Sequence, residues 1–440
     1  MLGARPVEGR FRRLRWAANA ALIAVLVGIP WIRIGGDPLV LLDIPARQFH
    51  VFGLVIFPQE LFFLWLIVIG LALLLFFITA LLGRLWCGWA CPQTVFTDVF
   101  AAIARRIEGW KGHRRPVRVA VWRKVAVHVV WFGLCAIVAF HLVGYFRSPY
   151  VMLAEWSHGE VSRTSMAFLG VFTLATYFDF AWVRQIFCEY LCPYARFQGV
   201  LFDQDTLVVG YDTKRGEPRG KAGKVDGDCV DCRLCVQVCP TGIDIRDGLQ
   251  LSCIACTQCI DACDGVMKQV GRDPGLIAYR SLVSLEGERP VKLLRPRVAI
   301  YGALLVAVVA GFVTMLGARM PLDLHVAHNR AQLYSTAADG RVGNSFTLHI
   351  QNRDTSDRVY RIALQESDAY ELVVGVNPVP VPAASSTEAR VFVLGSQQTA
   401  SPSESIHFVL EEVGNEERRV VRPTRFLRAP GAGAIGVSGG

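Results

Sequence analysis

Cysteine is absent from everything after Cys263 in this 440-residue chain, although thirteen cysteines lie at or before that point. No disulfide framework can therefore staple the C-terminal part together, and whatever the thiols do is done upstream. The chain also lacks a C-x-x-C-H run, which excludes covalent c-type haem, and it carries no nucleotide or flavin fingerprint, so reducing power has to come from a partner. Charge is sparse: 19% of residues are charged against 52% hydrophobic, and the mean hydropathy is +0.36. The net charge of +9 is not interleaved with aromatics on one soluble face, which excludes a nucleic-acid partner.

What is present is segregated, as expected of an integral membrane protein. Five stretches are long and apolar enough to span a bilayer: Trp16 to Ile34, Gln59 to Leu82, Val125 to Phe146, Ser165 to Phe187 and Val298 to Ala318. The first follows Arg5, Arg10, Arg12, Arg13 and Arg15 but is too long, and lacks a clean small-x-small site, for a cleaved signal; it predicts an uncleaved anchor. Lys and Arg number 5 in residues 1–15, 9 in 83–124 and 15 in 188–297, against 2 in 33–58 and 2 in 147–163. The positive-inside rule then predicts a cytoplasmic N-terminus, a cytoplasmic insert between the fourth and fifth helices, and an outer segment after Ala318.

Leu85–Trp–Cys–Gly–Trp–Ala–Cys–Pro–Gln–Thr and Ile186–Phe–Cys–Glu–Tyr–Leu–Cys–Pro–Tyr–Ala share C-x3-C-P, lie 101 residues apart, and each follows a spanning helix. The first four helices are thus expected to be two copies of one unit, with both pairs at the cytoplasmic membrane face. Cysteines four apart share a helix face, so Cys87 with Cys91, and Cys188 with Cys192, can offer paired sulfurs. The proline breaks the span and can open a new helix, where Val95, Phe96, Val99, Phe100, Ile103 and Ile107 form an apolar stripe suited to an interfacial helix. A lone cysteine would be an ordinary small interfacial residue; four in duplicated spacing point to a soft-metal site, with Cu(I) the first candidate, or to an extra redox relay.

Between Cys229 and Cys263 the chain reads C-x2-C-x2-C-x3-C-P and then C-x2-C-x2-C-x3-C. This is the ligand pattern of two [4Fe–4S] clusters, in which the fourth cysteine of each run serves the other cluster. The assignment is Cys229, Cys232, Cys235 and Cys263 to one, and Cys253, Cys256, Cys259 and Cys239 to the second. Structural zinc needs only four ligands and has no use for the third cysteine of each run or for Pro240. Such an insert is too small to fold on apolar burial alone, so its clusters are expected to hold it together. Weaker candidates are Cys135 with His128 on one face of the third helix, His141, Glu60 and Asp179; a buried cysteine, hydrogen-bonded histidines and an interfacial carboxylate explain most of these equally well.

After Ala318 the pattern turns to short alternating runs: Phe346–Gln351, Val359–Leu364, Tyr370–Val374, Ala389–Leu394 and Ile406–Leu410. They predict an immunoglobulin-like β-sandwich with a docking or spacer role. The expected organisation is a four-helix membrane part over 1–197, a cytoplasmic dicluster ferredoxin-like domain over 198–296, a fifth transmembrane helix over 297–318, the sandwich over 319–428 and a disordered tail over 429–440.

Cys87–Gly–Trp–Ala–Cys91–Pro92, Cys188–Glu–Tyr–Leu–Cys192–Pro–Tyr–Ala–Arg–Phe–Gln198 and Cys239–Pro–Thr–Gly–Ile–Asp–Ile–Arg–Asp–Gly–Leu–Gln250, together with the C-terminal sandwich, resemble over nearly the whole length the membrane-bound polyferredoxins CcoG, FixG and RdxA, accessory proteins of cbb3-type cytochrome c oxidase. The resemblance implies a bacterial inner-membrane protein that reduces Cu(II) to Cu(I) for the oxidase. It implies that Cys87, Cys91, Cys188 and Cys192 are copper-side catalytic thiols. The implied partners are a cytoplasmic electron donor, a copper chaperone or transporter, the oxidase assembly machinery and membrane lipid. Two other functions fit the residues: a quinol-linked electron-transfer subunit of a respiratory complex, and a non-enzymatic assembly scaffold.

Overall fold

The computed structural model describes residues 4–428 apart from 35, 113–115, 222–225, 287–289, 330–331, 338, 355, 367 and 396–401. The expected tail over 429–440 lies outside the described residues. The chain divides into two compact units, Met1–Val313 and Thr314–Gly440.

In the first unit α1 (Arg10–Gly28) is followed by α2 (Leu61–Leu82), a short α3 (Leu85–Trp89), α4 (Pro92–Glu108), α5 (Val121–Gly144), α6 (Pro149–Ser157) and α7 (Arg163–Phe178), which runs on as a π-turn over Asp179–Val183. Then come α8 (Pro193–Leu201), α9 (Thr213–Gly216), α10 (Leu234–Gln237), α11 (Gln258–Gln269), α12 (Leu282–Glu286) and α13 (Pro296–Gly317). Among the described residues, five helices are long and apolar enough to cross a membrane: α1 with its continuation to Trp31, α2, α5, α7 with its π-turn, and α13. Large apolar side chains such as Trp65, Val129, Leu174 and Val306 stand exposed on them, a surface suited to lipid and not to water.

Two of these helices differ from the sequence expectation in instructive ways. Helix α1 begins at Arg10 and not at Trp16, because its basic first turns have partners. Asp261 accepts from the backbone N–H groups of Phe11 (3.1 Å) and Arg12 (2.7 Å), acting as a cap supplied from far along the chain. Arg12 and Arg15 pair with Asp98 at 3.1 and 2.5 Å. In α4 the apolar stripe faces protein: Phe96, Phe100 and Ala104 are buried against Trp131 of α5 and Phe180 of the π-turn. Amphipathicity alone does not distinguish a lipid interface from a protein one.

At the end remote from the cysteine motifs, a small sheet of strands Val40–Asp43, Gln48–Val51 and Leu54–Ile56 joins α1 to α2. The insert before α13 is built round one antiparallel pair, Val208–Tyr211 with Ile277–Arg280. Its core holds Val209, Ile245, Ile260, Met267 and Leu276 together with Cys229 and Cys235, so the thiols are part of what folds it.

The second unit is a sandwich of two antiparallel sheets. One runs Tyr370–Val374, Ser385–Gly395, Val342–Asn352, Leu322–His328, with Ser335–Thr336 also on Val342–Asn352; the other runs Val379–Val381, Arg358–Leu364, Ser403–Glu412, Asn415–Leu427. Alternation drives it: Phe346, Leu348 and Ile350 point inward to meet Ile406, Phe408 and Leu410, all fully buried. The five expected strands are present. Leu322–His328, Val379–Val381 and Asn415–Leu427 were not anticipated; the last carries Arg418, Arg419, Arg422 and Arg425, and its charge masks the pattern.

Candidate functional site: two ferredoxin ligand sets beside a four-thiol membrane site

The two cysteine runs of the insert take the same local path. In each, the residues either side of the middle cysteine adopt left-handed backbone: Asp231 and Arg233 flank Cys232 (φ 50° and 55°), Ala255 and Thr257 flank Cys256 (φ 52° and 63°). A non-glycine residue there costs roughly 1–2 kcal/mol. Four such residues show a backbone wrapped around a centre whose binding must offset that cost.

Each wrap encloses one cavity. Cys229, Cys232, Cys235 and Cys263 line the first, beside Met267 and Leu276. Cys239, Cys253, Cys256 and Cys259 line the second, beside Ile243 and Ile254, with Cys235 also touching it. The structure thus gathers the two interleaved sets that the spacing proposes. Helix α11 supplies both, with Cys259 facing one cavity and Cys263 the other. Arg246 lines the first cavity, held by Asp244 (2.8 and 2.6 Å) and Asp231 (2.6 Å).

Burial pushes the Cys235 thiol up to about 11 and those of Cys256 and Cys263 to about 12, with neighbouring thiols adding to the latter two. It also raises Cys253 and, strongly, Cys259. Thiols so placed ionise only against a compensating cation, as thiolate ligands do. Among the described residues no three His, Cys, Asp or Glu side chains converge where a single ion could be held. Apolar cavities each lined by a full four-cysteine set suit a polynuclear cluster, and the donor set fits [4Fe–4S].

The C-x3-C-P segments also repeat in three dimensions. Each spanning helix ends at a left-handed residue four before the first cysteine, Gly83 (φ 57°) or Arg184 (φ 47°). A short helical turn then carries Cys87 or Cys188. The second cysteine is extended, its N–H bonded to the carbonyl five residues back: Cys91 to Trp86 and Cys192 to Phe187, both 2.8 Å. Pro92 and Pro193 then open α4 and α8. The second cysteine of each pair therefore caps the next helix and does not share a helix face with the first, as spacing alone suggested.

The repeats brace one another. Gln93, two residues past Cys91, donates to Asp179 (3.2 Å) and to the Arg184 carbonyl (3.0 Å) of the second repeat. Tyr194, two past Cys192, shares a short hydrogen bond with Thr79 of the first. Arg84 donates to the Ala195 carbonyl at 2.9 Å, and the Gln198 amide lies 3.4 Å from the Cys87 sulfur. All four thiols fall within electrostatic reach of one another. Burial is the main reason that Cys87 is pushed up to about 11 and Cys188 to about 12.

This thiol group abuts the second cavity of the insert. Gly88 lies so close to the Ile254 and Ala255 carbonyls that a Cβ would stand 2.6 Å from each. Arg84 donates to the Cys253 carbonyl and Arg15 to the Cys256 carbonyl, both at 3.3 Å. Arg84, Arg15, Gln93, Gly88 and Gln198 were not foreseen as site residues; Gly88, Gln93 and Gln198 had a signal, by lying inside the quoted motifs. The weaker candidates have local roles. His128 bonds Tyr177 (3.0 Å), His141 the Ile137 carbonyl (2.8 Å), and Glu60 accepts from the Phe57 N–H at 3.4 Å. Cys135 is buried between α5, α4 and the π-turn.

A membrane protein whose insert gathers two interleaved four-cysteine sets against its own inner helices is a membrane-integrated iron–sulfur electron-transfer protein. Family models agree: a 4Fe-4S dicluster domain matches residues 183–282, a 4Fe-4S binding domain residues 61–111, and the IG-like fold at the C-terminal of FixG, putative oxidoreductase, residues 312–429. The chain is 36% identical to Protein RdxA of Cereibacter sphaeroides, over 94% of each chain. It is 32% identical to the nitrogen fixation protein FixG of Rhizobium meliloti, over 97% of this chain and 92% of that one. The ferredoxin-type protein NapH of Haemophilus influenzae is a more distant relative, 25% identical over 45% of this chain and 66% of its own. The chain belongs to the FixG/RdxA family.

Proposed function

We propose that this protein is a Cu(II) reductase of the bacterial inner membrane. It takes single electrons from a cytoplasmic donor and supplies Cu(I) for assembly of a cbb3-type cytochrome c oxidase. Copper here is substrate: each Cu(II) gains one electron and leaves as Cu(I). Lys and Arg bias supports a cytoplasmic insert and a periplasmic sandwich. Membership of the FixG/RdxA family supports the link to oxidase assembly.

The observation that carries the reading is the contact between the four-thiol group and the second ligand set of the insert, made through Gly88, Arg84 and Arg15. When bound, the two clusters supply one-electron carriers. Cys229, Cys235 and Cys256 are buried and Ile243, Ile254, Met267 and Leu276 wall the two cavities, while Cys232 stands exposed at the edge of the first. Cys87, Cys91, Cys188 and Cys192 form the end of the electron path that faces copper, and sulfur is the softest donor available there, which favours the Cu(I) state.

The test uses the full chain in detergent, reduced anaerobically and freed of excess reductant. Addition of Cu(II) should reoxidise the clusters with formation of one chelatable Cu(I) per electron lost. Reoxidation by a quinone with none by Cu(II) would contradict the proposal and favour the quinol-linked alternative.

A further inference from the structure

We propose that the sandwich carries a Cu(II) site of its own, formed by His325 and His349 on the outer face of one sheet and oriented by Glu388. Strand register builds it. His349 on Val342–Asn352 stands directly opposite His325 on Leu322–His328 and directly opposite Glu388 on Ser385–Gly395, so the three make one row across three adjacent strands. They are far apart in the sequence and share no motif, and only strand pairing brings them together. Successive residues of a strand point to opposite faces. Leu348 and Ile350 enter the core, so the row faces outward, with His325 and Glu388 exposed and His349 half-buried.

The geometry suits one ion held between the two rings. The imidazole centroids of His325 and His349 stand 6.1 Å apart. With metal–nitrogen bonds of about 2.0 Å, one ion can join two facing imidazoles whose centroids are up to about 6.4 Å apart. The backbone therefore need not move. Glu388 is the second, independent sign. Its Oε1 lies 3.4 Å from Nδ1 of His349. The two nitrogens of an imidazole point to opposite flanks of the ring, so with Nδ1 turned to Glu388 on one neighbouring strand, Nε2 is turned toward His325 on the other. A carboxylate beside the far N–H of a ligand histidine fixes the tautomer that leaves the ligating nitrogen its lone pair. Glu388 thus orients and does not ligate, in keeping with the lack of three converging ligands among the described residues. Water completes the coordination.

The neighbours leave room for it. The next row on the same face is Ala327, Thr347 and Arg390, and its one cation sits on the strand of Glu388, two strands from His325. Imidazole suits copper, nickel and zinc, and at a given nitrogen site Cu(II) binds the tightest of the three. The inference does not rest on copper reduction: the site holds Cu(II) whether or not the clusters reduce it.

The experiment uses the full chain in detergent, free of any polyhistidine tag and oxidised so that [4Fe–4S] centres are diamagnetic. Cu(II) is added in steps and followed by electron paramagnetic resonance. Copper that the cysteines take up as Cu(I) is silent and cannot be mistaken for the site. The expected result is a Cu(II) signal split by two imidazole nitrogens, saturating at about one copper per chain. His325→Ala and His349→Ala should each abolish it, and Glu388→Gln should weaken binding about 10- to 100-fold. The same signal surviving in either histidine variant, its absence from the wild type, or displacement of Cu(II) by an equal concentration of Zn(II) would overturn the proposal. The three side chains lie outside the sandwich core; should an alanine variant nevertheless fail to fold, His325→Gln and His349→Gln, which keep the bulk, give the same reading.

Discussion

Replacing Gly88 by alanine probes the junction between the membrane thiols and the insert with a single methyl group. Helix propensity alone would favour the change by about 1 kcal/mol, so α3 itself should not suffer. The added Cβ, however, would stand 2.6 Å from the carbonyl oxygens of both Ile254 and Ala255, where 3.4 Å begins ordinary contact. The two segments must part by about 0.8 Å. Neither partner atom can swing aside, because both belong to backbone anchored by Arg84 on Cys253, Arg15 on Cys256 and Tyr279 on Ala255. Overpacking of this kind costs roughly 1–3 kcal/mol, and here the cost falls on docking. The eight cysteine ligands of the insert are untouched, so iron retained in their two sets should stay at the wild-type level. Hydrogen exchange in residues 253–257 and proteolytic nicking of the insert should rise about 5- to 150-fold, the factor that such an energy commands. Wild-type protection in Gly88→Ala, with wild-type delivery of electrons to Cu(II), would refute the claim that this contact couples the two parts.

Other outcomes follow from the same geometry. Gln93→Leu strands the Asp179 carboxylate and leaves the Arg184 carbonyl only the Phe187 N–H as a donor, and should lower stability by about 1–3 kcal/mol, read as earlier thermal release of the membrane thiols to a maleimide dye. Arg84→Gln removes a buried positive charge beside Cys87 and Cys253, so the potential of the adjacent cluster should fall while that of the Cys229, Cys232, Cys235 and Cys263 cluster holds, as measured by redox titration. Stripping iron should unfold the insert but not the sandwich, because Cys229 and Cys235 sit in the core of the first and no cysteine lies in the second; circular dichroism with limited proteolysis would separate the two. In the sandwich, a hydrogen bond from Tyr370 and then the Arg428 guanidinium hold the Glu404 carboxyl below its usual range. A depressed carboxylate stabilises above its ordinary titration range and loses that contribution as pH falls through its folded value, so Glu404→Gln should flatten the acid limb of sandwich unfolding below about pH 4.

How much of this was legible beforehand depends on which forces leave a local trace. Cluster ligands were readable because coordination demands a fixed residue type at fixed spacing, and Cys229 to Cys263 carry both. Spans were readable because lipid demands an apolar run, although the start of α1 was not: its basic turns are rescued by Asp98 and Asp261, far away in sequence. The pairing of the C-x3-C-P motifs was visible as a repeat, but the shared site was not. Gln93, Gln198 and Arg84 are ordinary polar residues until the fold sets each against the opposite repeat. In the sandwich, strands with an apolar inner face announced themselves, whereas Asn415–Leu427 hid its inward Val420 and Phe426 among arginines.

The most direct measurement of the central claim is a stopped-flow mixing of anaerobically reduced protein with Cu(II), recorded at the cluster absorbance for the wild type and for Cys87→Ser and Cys188→Ser. The account predicts fast reoxidation in the wild type with matching Cu(I), and slow reoxidation in both variants although the eight-cysteine clusters remain loaded and reduced. Equally fast reoxidation in all three would show that electrons reach copper without these thiols, and would contradict it.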